Sequence, residues 1–442
     1  FSVKYIVSGG NKKKMKRFTV AIAGLGGRGY HTYAKFQHLR PEQMKIVAIA
    51  DVDKEKIELA ASEFNVPLEG CFASAEEMLS CERLADVVFI TTQDRQHKEH
   101  IMMALEKGYD VLLEKPISVT PKDCIEIRDK VLELGRSVTV CHVLRYTKFF
   151  EVVKEAIDSG IIGKVQTVQA IENVGYWHQA HSFVRGNWRN SEIETPMILQ
   201  KCCHDFDVFI WLLGLECRAV SSFGSLGYFK KENAPNGSAE RCVDCTVENC
   251  PFNAEHIYLD ERSIGLRNGN IGWPCDIVVE NPTEEKLKVA LKTSPYGRCV
   301  FHCDNNVVDH QVVNMLFDGG VTVQLTMTGF TEDNYRYVKV MGTKGQIEAD
   351  QKKNIVTVTP FGCDPIVYDI SVLAEDLSGH GGGDNKMLKE MFEMLENGGQ
   401  PRSAISDSVG GHLIAFAAEE SRLHDGELVK ISEFEKKIHI TE

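Results

Sequence analysis

The sequence predicts an α/β chain of two domains: a doubly wound parallel sheet at the N-terminal end, then an α+β domain built on a mainly antiparallel sheet. Three observations carry this. From Phe18 to about His142, short apolar runs alternate with amphipathic stretches of helical length. A glycine-rich turn follows the first run directly. After about Tyr146 the rhythm changes to long consecutive strands joined by turns such as Asp318-Gly319-Gly320.

The apolar runs at 18–23, 45–50, 86–91, 110–113 and 137–141 are the expected parallel strands. In the second domain the spacing predicts helices near 147–158 and 197–213 and strands near 164–174, 217–226, 307–317, 321–328, 336–341 and 354–359. Helices return at 384–397 and 403–424, behind the Gly381-Gly382-Gly383 run, read as a hinge or tight turn. The domains are drawn at 15–143 and 144–442, with an irregular Gly-, Pro-, Asn- and Cys-bearing insertion at about 228–298. Met15 opens the natural first strand, and residues 1–14 read as a leader or an added segment.

A chain of 442 residues exceeds the size at which a single core stops growing. With 63 acidic against 50 basic side chains, the net charge of −13 repels phosphate backbones, which argues against nucleic acid as a partner. No apolar run approaches the roughly 18–20 residues of a membrane span, and a secretory signal pattern is not evident, so a cytoplasmic protein is expected. The 14 cysteines, scattered through apparent core elements, fit reduced thiols better than a disulfide framework.

Gly24-Leu25-Gly26-Gly27-Arg28-Gly29 stands between the first strand and a helix, the context a dinucleotide fingerprint requires. Gly24 permits the tight turn, Gly26 lets the backbone approach a pyrophosphate, and Gly29 lets helix pack on strand. Asp51 ends the second strand at the spacing expected of a carboxylate that binds ribose hydroxyls. A carboxylate there repels a 2′-phosphate, so NAD is favoured over NADP, although Arg28 beside the phosphates keeps NADP open.

Together with Asp51, the Thr92…His97 turn, Glu114-Lys115-Pro116 and His204-Asp205, this motif resembles the glucose-fructose oxidoreductase, inositol dehydrogenase and rhizopine catabolism family (Gfo/Idh/MocA) over nearly the whole chain from Met15. The resemblance implies a Rossmann domain plus a large open antiparallel sheet, with C-terminal helices packing back toward the Rossmann domain. It also implies oxidation or reduction of a carbinol on a sugar, glycoside or cyclitol. On it, Gly27, Thr92, His97, Glu114, Lys115 and His142 join the expected cofactor contacts.

The residues themselves also point to Lys115. It lies at the carboxyl end of a parallel strand, where open α/β sheets bind ligands. Oxidising an alcohol needs a group that accepts the hydroxyl proton, and a desolvated lysine beside a cationic ring can do so. On the 197–213 helix, Leu199, Cys202, Cys203, Phe206, Phe209, Ile210 and Leu213 form an apolar stripe, while Lys201, His204 and Trp211 project from the other side. The family usually carries an acid four positions before the histidine; Gln200 stands there, with Lys201 next. Lys115, His204 and Lys201 are therefore all candidate catalytic groups.

Expected substrate contacts are Arg145 and Tyr146 at the domain seam, the polar-aromatic cluster of Tyr176, His178, His181, Arg185 and Trp188, Asp205, and His380 beside the glycine run, with loop anchoring and interdomain salt bridges as the competing reading. In the insertion, Cys242, Cys245 and Cys250 with a distant fourth thiol form a candidate structural zinc site. The resemblance implies a subset of the family with this insertion and a Tyr-Gly-Arg-Cys segment, here Tyr296–Cys299, which favours Cys299 as the fourth ligand. Unmetallated thiols are the competing reading.

The leading functional expectation is an NAD-dependent dehydrogenase acting on a sugar, glycoside or cyclitol hydroxyl. The alternatives are a redox-neutral enzyme that cleaves a glycosidic bond through a transient ketone, and a non-catalytic sugar or nucleotide sensor. An exposed apolar sheet face predicts a homodimer or homotetramer.

Overall fold

The structure, a computed structural model, describes residues 16–440; Met15 and the segment before it lie outside the described residues. Six strands form a parallel sheet: β1 (Phe18–Ala23), β2 (Met44–Ala50), β3 (Cys71–Phe72), β4 (Val87–Ile90), β5 (Asp110–Leu113) and β6 (Val138–Val140), in the order β3-β2-β1-β4-β5-β6. The order reverses between β1 and β4, which opens a crevice at the carboxyl ends of those strands. Helices cover both faces, so Val20, Ala21, Ile22 and Ala23 of the central strand are wholly buried. Thr120 caps the helix Pro121–Leu134 by accepting from Asp123 N, and Gly135 in the left-handed region ends it. The two-residue β3 has no period to read, and the sequence analysis missed it.

The second sheet has nine strands: β7 (Val165–Gly175), β8 (Cys217–Ser225), β9 (His310–Phe317), β10 (Thr322–Thr331), β11 (Tyr335–Gly342), β12 (Gly345–Asp350), β13 (Ile355–Pro360), β14 (Ile366–Asp369) and β15 (Val429–Lys430). Their order is β14-β13-β12-β11-β7-β10-β9-β8-β15, antiparallel except where β7 pairs with β10. Helices Met197–Leu213 and Ile405–Leu423 cover one face, against which Val313, Met315, Val323 and Leu325 are buried. The outer face carries Thr167, Gln169, Asn314, Leu316, Thr322 and Gln324. Ile171, Phe223 and Val312 lie on the same face, so apolar and polar side chains are mixed there, as pleat alternation places them outward whatever their polarity.

The C-terminal segment returns to the first domain. Helix Gly383–Asn397 sends Met387, Leu388, Met391 and Phe392 into a core with Tyr33 and Phe36, and Phe392 stacks on Phe18 at 5.5 Å. Beyond it, Val140 N donates to Ser403 O at 3.0 Å, extending the sheet edge. The insertion is less irregular than its composition suggests. Helix Glu284–Thr293 is capped by Thr283, and Phe229, Phe252, Tyr258, Leu287 and Leu291 form a core of their own with Trp177 and Val184. No helix among the described residues is long and apolar enough to cross a membrane.

Candidate active site

The glycine turn separates glycines the fold requires from glycines it does not. Gly24 has φ +93°, and a Cβ there would meet Thr91 O at 2.6 Å; one on Gly29 would meet Gly24 O at 1.9 Å. Both must lack a side chain for β1 to turn into the following helix. At Gly26 and Gly27 a Cβ would meet nothing within 4 Å. The protein's own packing gives no reason for glycine there, so the open space suits a ligand that approaches the backbone closely. The helix Gly27–Ala34 has no side-chain cap at Gly26, which leaves its first N–H groups free for an anion. Asp51 reaches the same turn: Oδ2 accepts from Leu25 N at 2.6 Å and Oδ1 from Asp53 N at 2.9 Å.

Arg28 points elsewhere than expected. Its guanidinium bonds Glu114, Tyr33 and Asp384, tying the glycine turn to the C-terminal helix, so its charge is spent on two carboxylates. Glu114 also accepts from Tyr33 Oη at 2.6 Å and from Lys115 N at 2.8 Å. Burial works to raise this carboxyl, but Arg28 and Lys115 outweigh it and hold it below the ordinary carboxylate range. His97 is wholly buried; its ring spans Pro116 O at 2.8 Å and Thr92 O at 3.1 Å. It therefore braces the Lys115-Pro116 turn, which corrects its expected role as a cofactor contact. Thr92 Oγ1 lies 2.9 Å from His100 Nδ1.

Lys115 crosses between the domains. Its Nζ donates to the main-chain oxygen of Gln200 at 3.1 Å, one helical turn before His204. The His204 and His142 rings meet edge to face at 5.5 Å, and His380 lies 6.2 Å from His204. Gln200 Oε1, His204 Nδ1 and both nitrogens of His142 are buried without a hydrogen-bond partner. Four such atoms gathered near one ammonium suit a polar ligand that would supply their partners. Burial first, and then Lys115, His142, Arg336 and His380, keep the His204 pKa well below its ordinary value. Burial, Arg145 and Lys115 do the same for His142. Both imidazoles are thus held neutral, each with a ring nitrogen able to accept a hydrogen bond.

A buried ionic network supports this face. Lys201 Nζ pairs with Glu172 at 3.2 Å, and Arg336 bridges Glu172 at 3.1 Å and Asp205 at 2.8 Å. Glu172 is pushed up by burial against the pull of Arg336 and Lys201. Asp205, expected to touch substrate, is instead held by Arg336. Sequence reasoning missed both Glu172 and Arg336; an acid at an inward position of β7 was the available signal. Asp94, also missed, is pushed up by burial and accepts from Trp188 Nε1 at 3.2 Å, so Trp188 anchors one domain on the other.

Several expected substrate contacts turn inward. Arg145 grips Asp207 with two bonds of 2.6 and 2.7 Å, and Tyr146 Oη lies 3.0 Å from Ser403 Oγ. His181 bonds Tyr258 Oη at 2.8 Å and stacks on Tyr296 at 4.7 Å. Arg185 donates to Arg298 O at 2.7 Å and Phe252 O at 2.6 Å. These four are buried structural residues, and the expectation that they contact substrate is corrected. His178 is brought to the site: it feels the charges of Lys201 and Lys115 and bonds Asn334 at 2.8 Å. Tyr176 stands at the rim, half-buried, 6.1 Å from the Phe252 ring. His380 is held by Asp384 at 2.9 Å, with the ring partly exposed.

The zinc expectation is not supported. Among the described residues no group of three or more His, Cys, Asp or Glu side chains is placed to hold a metal ion. Cys242 Sγ lies against Arg185 at 3.5 Å and Arg298 O at 3.8 Å, and Cys245 Sγ turns to Gly237 O at 3.9 Å. Cys250 is half-buried and Cys299 buried, both as free thiols. Arg185, reaching two carbonyls of the insertion, takes the stapling role assigned to a metal.

A crevice at the switch point, a glycine cradle and a lysine facing a neutral histidine define an oxidoreductase of the dinucleotide-binding class. The oxidoreductase family model with an NAD-binding Rossmann fold (GFO_IDH_MocA) matches residues 18–142, and the model of its C-terminal α/β domain matches 154–430. The chain belongs to the Gfo/Idh/MocA family. YteT of Bacillus subtilis, named as an oxidoreductase, is 25% identical over 394 residues, 84% of this chain and 88% of that protein. The 2,7-anhydro-N-acetylneuraminate hydratase of Mediterraneibacter gnavus is 26% identical over 278 residues, 63% of this chain and 68% of its own. Scyllo-inositol dehydrogenase of Lactobacillus casei, solved with NAD(H) and scyllo-inositol, shares the fold with a TM-score of 0.62 at 17% identity, over 94% of this chain and 100% of that one.

Proposed function

We propose that the protein is an NAD-dependent enzyme that interconverts a secondary hydroxyl and a ketone on a sugar, glycoside or cyclitol. The observation that carries this reading is the group of unpartnered atoms of Gln200, His204 and His142 around the Lys115 ammonium. Gly24, Gly26, Gly27 and Gly29 would cradle the dinucleotide, Asp51 would hold its ribose hydroxyls, and the bound nicotinamide would supply the hydride acceptor. The Asp51 carboxylate, with Arg28 already bound to two acids, favours NAD over NADP.

His204 offers a neutral ring nitrogen to the hydroxyl proton, and the burial and neighbouring cations that keep it neutral also make it a weak base. Lys115 donates to the same substrate oxygen and is aimed by the Gln200 carbonyl. Lys201 is paired with Glu172 and orients a second hydroxyl from the opposite side. His178 and His380, whose Nδ1–H groups are given to Asn334 and Asp384, turn Nε2 to accept from the remaining hydroxyls. Screening sugars, glycosides and inositols for NADH formation tests this directly, with Lys115→Ala and His204→Asn as controls. A wild type that reduces NAD with no member of the panel, or variants that match it, would count against the reading.

The hydratase relative supports a second reading, in which oxidation is transient and is reversed before release. Product formation without any net NADH signal would select it. Self-association through the outer face of the nine-stranded sheet, as a homodimer or homotetramer, is part of the proposal and is checked by light scattering.

A further inference from the structure

Trp273, in the insertion, is 41% exposed, yet it sits against a packed aromatic group. Its ring lies 4.9 Å from His178, 5.2 Å from Trp177 and 5.6 Å from His181. A single exposed apolar side chain is ordinary. What sets this one apart is how firmly its loop is held. Asn270 Nδ2 donates to Ile264 O at 2.8 Å and to Trp273 O at 3.0 Å, while its Oδ1 accepts from Gly272 N at 3.0 Å. Cys275 Sγ closes the loop onto Tyr258 O at 3.4 Å and Ile264 O at 3.5 Å. The indole is presented in a fixed orientation, with its inner side packed and its outer side open.

Its position links it to the chemistry. His178, on which the indole edges, is close enough to Lys201 and Lys115 for both charges to depress its protonation, so Trp273 stands one ring outward from the reacting groups. A pyranose ring turns several C–H bonds to one face, and the negative face of an indole attracts such weakly positive hydrogens while shedding water from both. His178 stands between the indole and the charges of Lys201 and Lys115, so a second ring joined to the one bound at Lys115 and His204 is the part of a substrate suited to meet Trp273.

We propose that Trp273 forms a stacking subsite for the second ring of a glycoside, so that the substrate class is a disaccharide or aryl glycoside rather than a free monosaccharide or cyclitol. The insertion then serves to build this subsite. The proposal rests on the reading of Lys115 and His204 as the reacting end.

The test compares wild type, W273A and W273F on paired probes: disaccharides and p-nitrophenyl glycosides against the matching monosaccharides and inositols. Thermal melting identifies variants that have lost the fold, and W273F, which keeps an aromatic face, guards against a packing defect. The expected result is a fall of about 10- to 100-fold in kcat/KM for the two-ring probes in W273A, chiefly through KM, with little change for single rings and partial recovery in W273F; one to three kcal/mol is the span of such stacking contacts. Equal losses on both probe classes, or none on either, overturn it. Calorimetric binding of the same two-ring probes to wild type and W273A is read independently of turnover. Weaker binding by W273A with no NADH formation from any probe supports the subsite while the redox reading fails. A wild type that binds none of the two-ring probes overturns the subsite itself.

Discussion

Lys115 Nζ lies 3.1 Å from the main-chain oxygen of Gln200, a hydrogen bond that joins the carboxyl end of the parallel sheet to the helix bearing His204. Because the acceptor is backbone, the ammonium is aimed by the helix itself, and the side chain of Gln200 remains free to meet a ligand.

Lys115→Ala is expected to lower kcat by about 10²- to 10³-fold, the usual span for a donor to the reacting oxygen. NAD affinity, measured by calorimetry, should change little, because the glycine cradle and Asp51 are untouched. Loss of NAD binding in step with kcat would instead make Lys115 a cofactor anchor.

Asp51→Ala removes the expected ribose contact and should weaken NAD binding about 10- to 100-fold, since hydrogen bonds to a charged group contribute roughly 1.5–3 kcal/mol. The preference for NAD over NADP should narrow at the same time. Asp51 also accepts from Leu25 N at 2.6 Å, so Asp51→Asn, which can keep that turn contact, separates ribose binding from local structure. Equal NAD affinity in all three proteins would contradict the assignment.

His412 gives a pH test of stability. It is wholly buried, accepts from Ile117 N at 2.9 Å and lies 3.0 Å from Ser408 O, and burial lowers its pKa to about 3. Below about pH 6.5 the unfolded chain binds a proton here that the folded protein refuses. Its contribution is therefore complete above that pH and is lost progressively as pH falls toward 3. At pH 5 this amounts to roughly 2 kcal/mol, at 1.36 kcal/mol per pH unit. In urea denaturation His412→Gln should lose less stability than wild type between pH 7 and pH 5, by an amount of this order. Parallel pH curves would show that the residue is not buried neutral.

Arg185 holds the insertion through Arg298 O and Phe252 O. Arg185→Lys keeps the charge but loses the planar fork that reaches both carbonyls. Urea denaturation should report a loss of about 2–3 kcal/mol, the penalty for stranding buried acceptors. Limited proteolysis should cut first between 228 and 298. Unchanged stability would mean that another element carries the insertion.

The parallel strands, the glycine turn and the helix under His204 were legible because each is written in local spacing: all five expected parallel runs fall within a residue of β1, β2, β4, β5 and β6 at each end. Lys115 was legible for the same reason, as the residue just past a strand. What spacing cannot show is which polar residues find a buried partner far along the chain. Arg145 with Asp207, Tyr146 with Ser403 and Arg185 with Arg298 look like ligand contacts in sequence, yet each is consumed by a partner from another element. The cysteine spacing suggested a metal for a similar reason: it reports proximity along the chain but not where each thiol points. Trp273 drew no notice because nothing periodic surrounds it; its place against His178 exists only in three dimensions.

A crystal structure with NAD bound tests the central claim most directly. The account predicts the pyrophosphate over Gly26 and Gly27, and the nicotinamide ring in the crevice between Lys115 and His204, with Gln200 Oε1 or His142 gaining the partner it lacks. A nicotinamide lying away from Lys115, with the His204 and His142 nitrogens still unpartnered, would contradict it.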